Sequence, residues 1–405
     1  MTPKSRADAE KLDAADPLRA YRECFDLPEG VIYLDGNSLG PPTKKTLARL
    51  RQTAEEDWRR DLVKAWNTAD WIDLPKTCGA KIARLIDAEP DEVIFCDSVS
   101  VNIFKLAAAL MDARPGALAY ECDEFPTDGY ILQGLAQLTG AKLTTLNPDA
   151  PHAMADQNIS VLIKSAVNYK TAAVADIIAW EKAAAAQGVS IIWDLSHAAG
   201  IVRLDLKAAG ARYAVGCGYK FLNGGPGAPA FVFASGDVAG KLRQPLSGWM
   251  GHAAPFDFAD RYQPAQGVGR FASGTPPILS LSALDAALDL FADLDIGVVE
   301  AKAKALGDLF LARTAPLKLA SISPGPEQRR GGHIALRFHH GYEVVQAMIA
   351  RGVIGDFRTP DLMRFGFSPL FLRYTDVFDA ADILIDIIKT EEWRAPHYAK
   401  RAKVI

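Results

Sequence analysis

The chain has 405 residues, 49% of them hydrophobic and 23% charged, an ordinary balance for a globular protein of two or three domains. Its 45 basic and 49 acidic side chains leave a formal charge of −4, which argues against a nucleic-acid groove or an anionic membrane surface as partner. No stretch approaches the roughly 18 uninterrupted apolar residues of a membrane span.

In chain order, the leader "MTPKSRADAEKLDAADPLRAY" is polar and has no apolar core, so it does not read as a secretory signal. Five scattered cysteines (Cys24, Cys78, Cys96, Cys122, Cys217) contain no C-x-x-C pair. Neither a zinc site nor a disulfide framework is expected, and a reducing cytoplasm is the simplest location. "GVIYLDGNSLGPP" is an apolar run closed by turn residues, and "TKKTLARLRQTAEEDWRRDLV" has helical periodicity with a charged face. "EPDEVIFCDSVSVNIFKLAAALM" predicts a short strand, a polar turn and a helix. Short apolar strands follow at "ALAYECDEFPTD", "AKLTTLN", "ISVLIKSAVN", "VSIIWDLSHAAG", "RYAVGCGYK" and "APAFVFAS". Helical segments such as "TDGYILQGLAQLTG" and "TAAVADIIAWEKAAAAQG" separate several of them. The alternation predicts an α/β fold with a mostly parallel sheet covered by helices.

From "FASGTPPILSLSALDAALDLFADLDIGVVEAKAKALGDLFLART" the character changes to a long Ala- and Leu-rich helix. Beyond about residue 300, strands ("HIALRF", "LMRFGFS") mix with helices ("YEVVQAMIARG", "VFDAADILIDIIKTEEW") in an α+β pattern. The expected organisation is an N-terminal segment, 1–45, packing with the small domain, a large domain over 46–290, and a smaller α+β domain over 291–405.

Three polar clusters stand at predicted strand ends, where open α/β sheets bind ligands. In "DSVSVNIF", Ser98, Ser100 and Asn102 lie where a helix begins, a place suited to a phosphate and equally to an ordinary serine cap. In "WDLSHAAG", Asp194 closes a buried strand and needs a partner to offset its desolvation. In "GCGYKFLNGGPG", Lys220 follows Tyr219 inside an otherwise apolar stretch. A lysine in a dry site loses its proton more easily and can then form a Schiff base, while glycines let the backbone come close to a ligand. Together these supply an imine-forming lysine, a carboxylate for a pyridinium nitrogen and a phosphate cup.

"DLSHAAG" followed by "GYKFLNGGPG" resembles the aminotransferase-like, fold type I family of pyridoxal-phosphate enzymes. "YLDGNSLGP", "RDLVKAWNTADWIDLP", "DSVSVNIFKL", "DEFPTD", "GWMGH" and "SGTPPIL" narrow the resemblance to the kynureninase family, in order and from about residue 20 to about 390. The resemblance implies that Lys220 forms the imine with pyridoxal 5′-phosphate and that Asp194 pairs with its ring nitrogen. His197 lies toward the ring hydroxyl, Phe125 stacks on the ring, and Thr127 and Asp128 position it. Val99 and Ser100 contact the phosphate, with Ser165 and Tyr219 as further cofactor contacts and Tyr219 a possible proton donor. Many relatives carry threonine where Val99 stands, so only the backbone can serve there.

Trp249 and Thr275 match positions that reach the phosphate site from the neighbouring subunit, which implies a homodimer with shared active sites. Arg364 matches the arginine that grips the substrate α-carboxylate, a task suited to a bidentate guanidinium. Trp66, Asn67, Trp71, Asn37 and Ser38 are candidates for the rest of the substrate site. The implied activity is hydrolytic Cβ–Cγ cleavage of L-kynurenine or 3-hydroxy-L-kynurenine. The products are anthranilate or 3-hydroxyanthranilate and L-alanine, in tryptophan degradation and NAD-related metabolism, and no metal is required. A cysteine desulfurase or selenocysteine lyase is the nearest alternative. It needs a reactive cysteine in the C-terminal part, and the stretch from 218 to 405 contains none.

Overall fold

The computed structural model describes residues 3–148, 150–155 and 157–403. They form two compact units. The larger comprises Lys45–Tyr169 and Ala175–Asp293, and the smaller comprises the described residues up to Lys44, Lys170–Val174 and those from Leu294 onward.

The larger unit is built on seven strands: β1 (Val93–Phe95), β2 (Ala117–Glu121), β3 (Leu143–Leu146), β4 (Ile159–Ser165), β5 (Ser190–Asp194), β6 (Tyr213–Cys217) and β7 (Ala230–Ala234). Their order across the sheet is β1-β7-β6-β5-β4-β2-β3. Strands β2 to β6 pair in parallel, and β7 runs antiparallel to both β6 and β1. Six of the seven strands therefore end on the same edge. Every residue of β4, β6 and β7 is buried, as expected of strands covered on both faces. Register places Ser165, the last residue of β4, beside Asp194, the last of β5, and Asp194 beside Val215 of β6.

Helix α1 (Val99–Ala113) follows β1, α2 (Pro126–Thr139) follows β2, and α3 (Ile177–Gln187) precedes β5. Each start has a local cause. Ser98 accepts a hydrogen bond from the Val101 N–H, Pro126 opens α2, and Asp176 accepts from the Ala179 N–H. Gly140 and Gly188 end α2 and α3 in the left-handed conformation. One core cluster joins Ile103, Leu106 and Leu110 of α1 to Leu132 and Leu135 of α2 and to Val161, Ile192, Val215 and Val232 of the sheet. Each such side chain contributes about 1.5–3 kcal/mol on burial.

In the smaller unit, four antiparallel strands lie in the order Asp356–Arg358, Leu362–Gly366, His333–Arg337, Ala320–Ser321. Ile32–Tyr33 pairs in parallel with Val353–Ile354. The helix Arg6–Ala15 is tied to the helix Tyr374–Thr390 through Asp13. Its carboxylate accepts from the Tyr374 N–H at 2.6 Å and the Thr375 hydroxyl at 2.7 Å. Asp16 forms a buried ion pair with Lys302 at 2.6 Å.

Two elements differ from the sequence pattern. The charged helix after Lys44 is α-helical only to Gln52 and π-helical over Thr53–Asp61. The long Ala- and Leu-rich helix is two, Ile278–Leu288 and Ile296–Thr314, the second started by Asp295 accepting from the Gly297 N–H. In "GVIYLDGNSLGPP" the apolar run forms a two-residue strand and the turn residues close it, the Asp35 carbonyl accepting from the Ser38 and Leu39 N–H groups.

Candidate active site

A cavity of about 190 Å³ opens at the common strand edge of the larger unit. Its lining includes Val99, Ser100, Phe125, Thr127, Asp128, Ser165, Asp194, His197, Tyr219 and Lys220. Each comes from the end of a strand, the turn after it or the first turn of the helix that follows. Val99 and Ser100 follow β1, Phe125, Thr127 and Asp128 follow β2, and Ser165 ends β4. Asp194 and His197 close β5, and Tyr219 and Lys220 follow β6.

Lys220 is partly buried, with Nζ 3.4 Å from His197 Nδ1 and 3.3 Å from Nε2. The backbone after it closes tightly. The Asn223 N–H donates to the Lys220 carbonyl at 2.9 Å, and the Gly224 N–H donates to the Gly218 carbonyl at 2.8 Å. A Cβ on Gly224 would sit 2.7 Å from that carbonyl oxygen, and Gly225 follows at φ +84°, so this turn requires glycine.

Asp194 is 6% exposed, and its Oδ1 accepts from the Ser196 N–H at 2.8 Å and the Ser196 hydroxyl at 2.5 Å. Ser196 thus fixes the carboxylate. The D-x-S spacing of an Asx turn was the signal that could have identified it. Asp128 is 1% exposed, and neither of its carboxylate oxygens has a hydrogen-bond partner among the described residues. Burial first, then the nearby Asp194 and Glu124, push its carboxyl well above the usual range. The neighbouring sulfur of Cys217, then burial and Asp194, hold the Tyr219 phenol well above its ordinary value.

The loop between β1 and α1 is anchored from beneath. Asn102 is fully buried and donates to the Cys96 carbonyl at 2.7 Å. Lys105, also fully buried, pairs with Asp97. Asp97 lines the cavity beside Ser98.

The remaining candidates lie elsewhere. A larger cavity of about 430 Å³ in the same unit is lined by Asp97, Met250, His252, Ser273 and Thr275 among others, and contains neither Lys220 nor Asp194. The chemistry of the lining, not volume, distinguishes the smaller cavity. Trp249 is 37% exposed and packs against Phe256 and Phe258. Trp66 and Trp71 meet edge to face with ring centroids 5.9 Å apart and line neither cavity, while Asn67 is exposed.

Asn37, Ser38 and Arg364 form a cluster in the smaller unit. Arg364 is 2% exposed and meets both oxygens of Asp356, Nε to Oδ1 at 2.9 Å and Nη2 to Oδ2 at 2.5 Å. Asn37 is fully buried, with neither side-chain polar atom hydrogen-bonded among the described residues. Its Oδ1 would lie 1.8 Å from a Cβ on Gly366, so the strand must be bare there. Among the described residues there is no group of acidic, histidine or cysteine side chains fit to hold a metal ion, and no helix is long and apolar enough to cross a membrane.

The sheet order and the lysine-centred cavity at its strand ends define the class of fold type I pyridoxal-phosphate enzymes. The cysteine desulfurase CsdA of Escherichia coli superposes with a TM-score of 0.78 at 18% identity, covering 92% of this chain and 98% of that one. A C-DES mutant with glycine covalently linked to its PLP cofactor superposes with a TM-score of 0.75 at 14% identity, covering 94% and 99%. Both likenesses establish the fold. The Kynureninase C-terminal domain family matches residues 299–384. A kynureninase of Burkholderia mallei (strain SAVP1) is 45% identical over 415 aligned residues, covering 99% of this chain and 100% of its own. One of Pseudomonas fluorescens is 41% identical over 413, covering 99% of each. The chain belongs to the kynureninase family, hydrolases that act on a carbon–carbon bond of a ketonic substrate.

Proposed function

We propose that the protein hydrolyses the Cβ–Cγ bond of L-kynurenine, and of 3-hydroxy-L-kynurenine, with pyridoxal 5′-phosphate held in the cavity around Lys220. The observation that carries this reading is the placement of Lys220 Nζ 3.3–3.4 Å from the His197 ring in a cavity that also holds Asp194 and Asp128.

The residues present fit that group. The orphaned, buried carboxyl of Asp128 calls for a polar partner. The first turn of α1, behind Ser98, offers backbone N–H groups to a phosphate through Val99 and Ser100. Bound there, pyridoxal phosphate supplies an electron sink for charge developing at the substrate Cα and Cβ. Lys220 Nζ would hold the group and, once its amine is free, would be the base for the substrate Cα proton. Asp194, oriented by Ser196, would pair with the protonated ring nitrogen. Phe125 would cover the ring, and Thr127, Ser165 and His197 would hold its polar groups. Tyr219, whose phenol stays protonated at neutral pH, is the donor for the later proton transfers. Arg364 takes the α-carboxylate, with Asn37, Ser38, Trp66 and Trp71 completing the substrate contacts.

Trp249 and Thr275, which do not line the Lys220 cavity, serve the partner's phosphate site in a homodimer, and the half-exposed aromatic cluster at Trp249 supports this reading. The setting is cytoplasmic tryptophan degradation. Protein loaded with cofactor and given each substrate separately is expected to release fluorescent anthranilate or 3-hydroxyanthranilate. Release of neither would overturn the assignment.

A further inference from the structure

We infer that Asp356 is a positioning residue for the reaction, fixing the plane and direction of the Arg364 guanidinium so that it meets the substrate carboxylate already oriented. This rests on the reading of Arg364 as the carboxylate-binding group.

The geometry is built into the sheet. Asp356 and Arg364 are direct cross-strand partners on adjacent antiparallel strands of the smaller unit. Their side chains therefore leave the same face at the same level. Asp356 is 1% exposed and Arg364 2% exposed, so the pair is desolvated on both sides. Two parallel N–H to oxygen bonds, at 2.9 and 2.5 Å, form the fork that fixes a guanidinium plane, which a single contact leaves free to swing.

Asp356 is itself held. The Ser38 hydroxyl donates to its Oδ2 at 2.9 Å, Arg358 Nη2 does so at 2.8 Å, and Arg364 Nη2 donates to Ser38 Oγ at 3.1 Å. Ser38 thus bridges the aspartate and the arginine. These partners hold the Asp356 carboxyl below its ordinary value despite its burial, so it stays ionised. An arginine sealed this deeply has little freedom of its own, and its direction is set by the carboxylate it forks onto. Loss of that carboxylate is felt wherever the arginine is used, and nowhere else in the reaction.

The test compares Asp356→Asn and Asp356→Glu with the unchanged protein, each loaded with cofactor. The measurements are kcat and KM for L-kynurenine and the inhibition constant of its decarboxylated analogue, which keeps the amine and aryl ketone but has no carboxylate. Loss of one charged fork corresponds to a KM increase on the order of ten-fold or more. The expected result is that increase for L-kynurenine in Asp356→Asn, a smaller one in Asp356→Glu, kcat and the visible cofactor spectrum nearly unchanged, and the same inhibition constant for the analogue. An unchanged KM, or an equal weakening of substrate and analogue, would overturn the positioning role. If Asp356→Asn does not fold, Asp356→Glu is decided by the same two readings. Arg364→Lys in the same assay separates the two claims. An unchanged KM there removes the carboxylate role of Arg364 itself. A raised KM there, with unchanged KM in the Asp356 variants, removes Asp356 alone.

Discussion

At Lys220 the deciding feature is how its neighbours share charge. The cavity sets Lys220 among Asp97, Asp128 and Asp194; Asp97 pairs with Lys105, and the other two carboxylates differ in their partners. Asp194 is held by two hydrogen bonds from Ser196, whereas Asp128 has none among the described residues and is pushed toward its neutral form. Asp194 is therefore the carboxylate held in a fixed orientation, the one suited to face a ring nitrogen. Asp194→Asn keeps the shape and removes the charge. It is expected to lower kcat for anthranilate formation by on the order of a hundred-fold, with cofactor still bound by absorbance. A loss of less than three-fold would assign the ring nitrogen elsewhere. Lys220 and Asp194 were legible in the sequence because their chemistry sits inside short motifs at strand ends. Asp356 was not, because its meaning comes from a cross-strand partner that no local pattern reveals.

Among elements, the joint between α3 and β5 carries a testable electrostatic cost. Glu181 of α3 accepts from the Trp193 indole N–H of β5 at 2.7 Å. Burial lifts its carboxyl from the ordinary 4.5 to about 7. Between those values the folded protein binds the proton and the unfolded chain does not. The contribution of Glu181 is therefore fully present below the unfolded value and is lost as pH rises through about 7. Glu181→Gln keeps an acceptor for the indole and cannot ionise. By thermal unfolding it should raise Tm by about 1–3 °C at pH 8 and by less at pH 5. An equal shift at both pH values would contradict the assignment.

Most elements could be read from periodicity, since β4 and β5 are apolar runs bounded by polar turns and α1 and α2 announce their starts with Ser98 and Pro126. The exceptions have physical causes. Asp295 starts a second helix inside one Ala- and Leu-rich pattern, and the π-helical Thr53–Asp61 keeps the charged periodicity of the α-helix before it.

At the scale of the molecule, the smaller unit is discontinuous. It gathers residues up to Lys44, the segment Lys170–Val174 and everything described from Leu294 onward. Contacts such as Asp16 with Lys302 and Asp13 with Thr375 hold the N-terminal helix there, and a pair so distant in sequence leaves no local signature. What spans the whole length is the family likeness, 45% identity over 99% of the chain. The proposed chemistry requires one covalent bond, between Lys220 and the cofactor. Protein loaded with pyridoxal phosphate, reduced with borohydride, digested and analysed by mass spectrometry is predicted to carry a single pyridoxyl adduct on Lys220. An adduct on another lysine, or none, would contradict it.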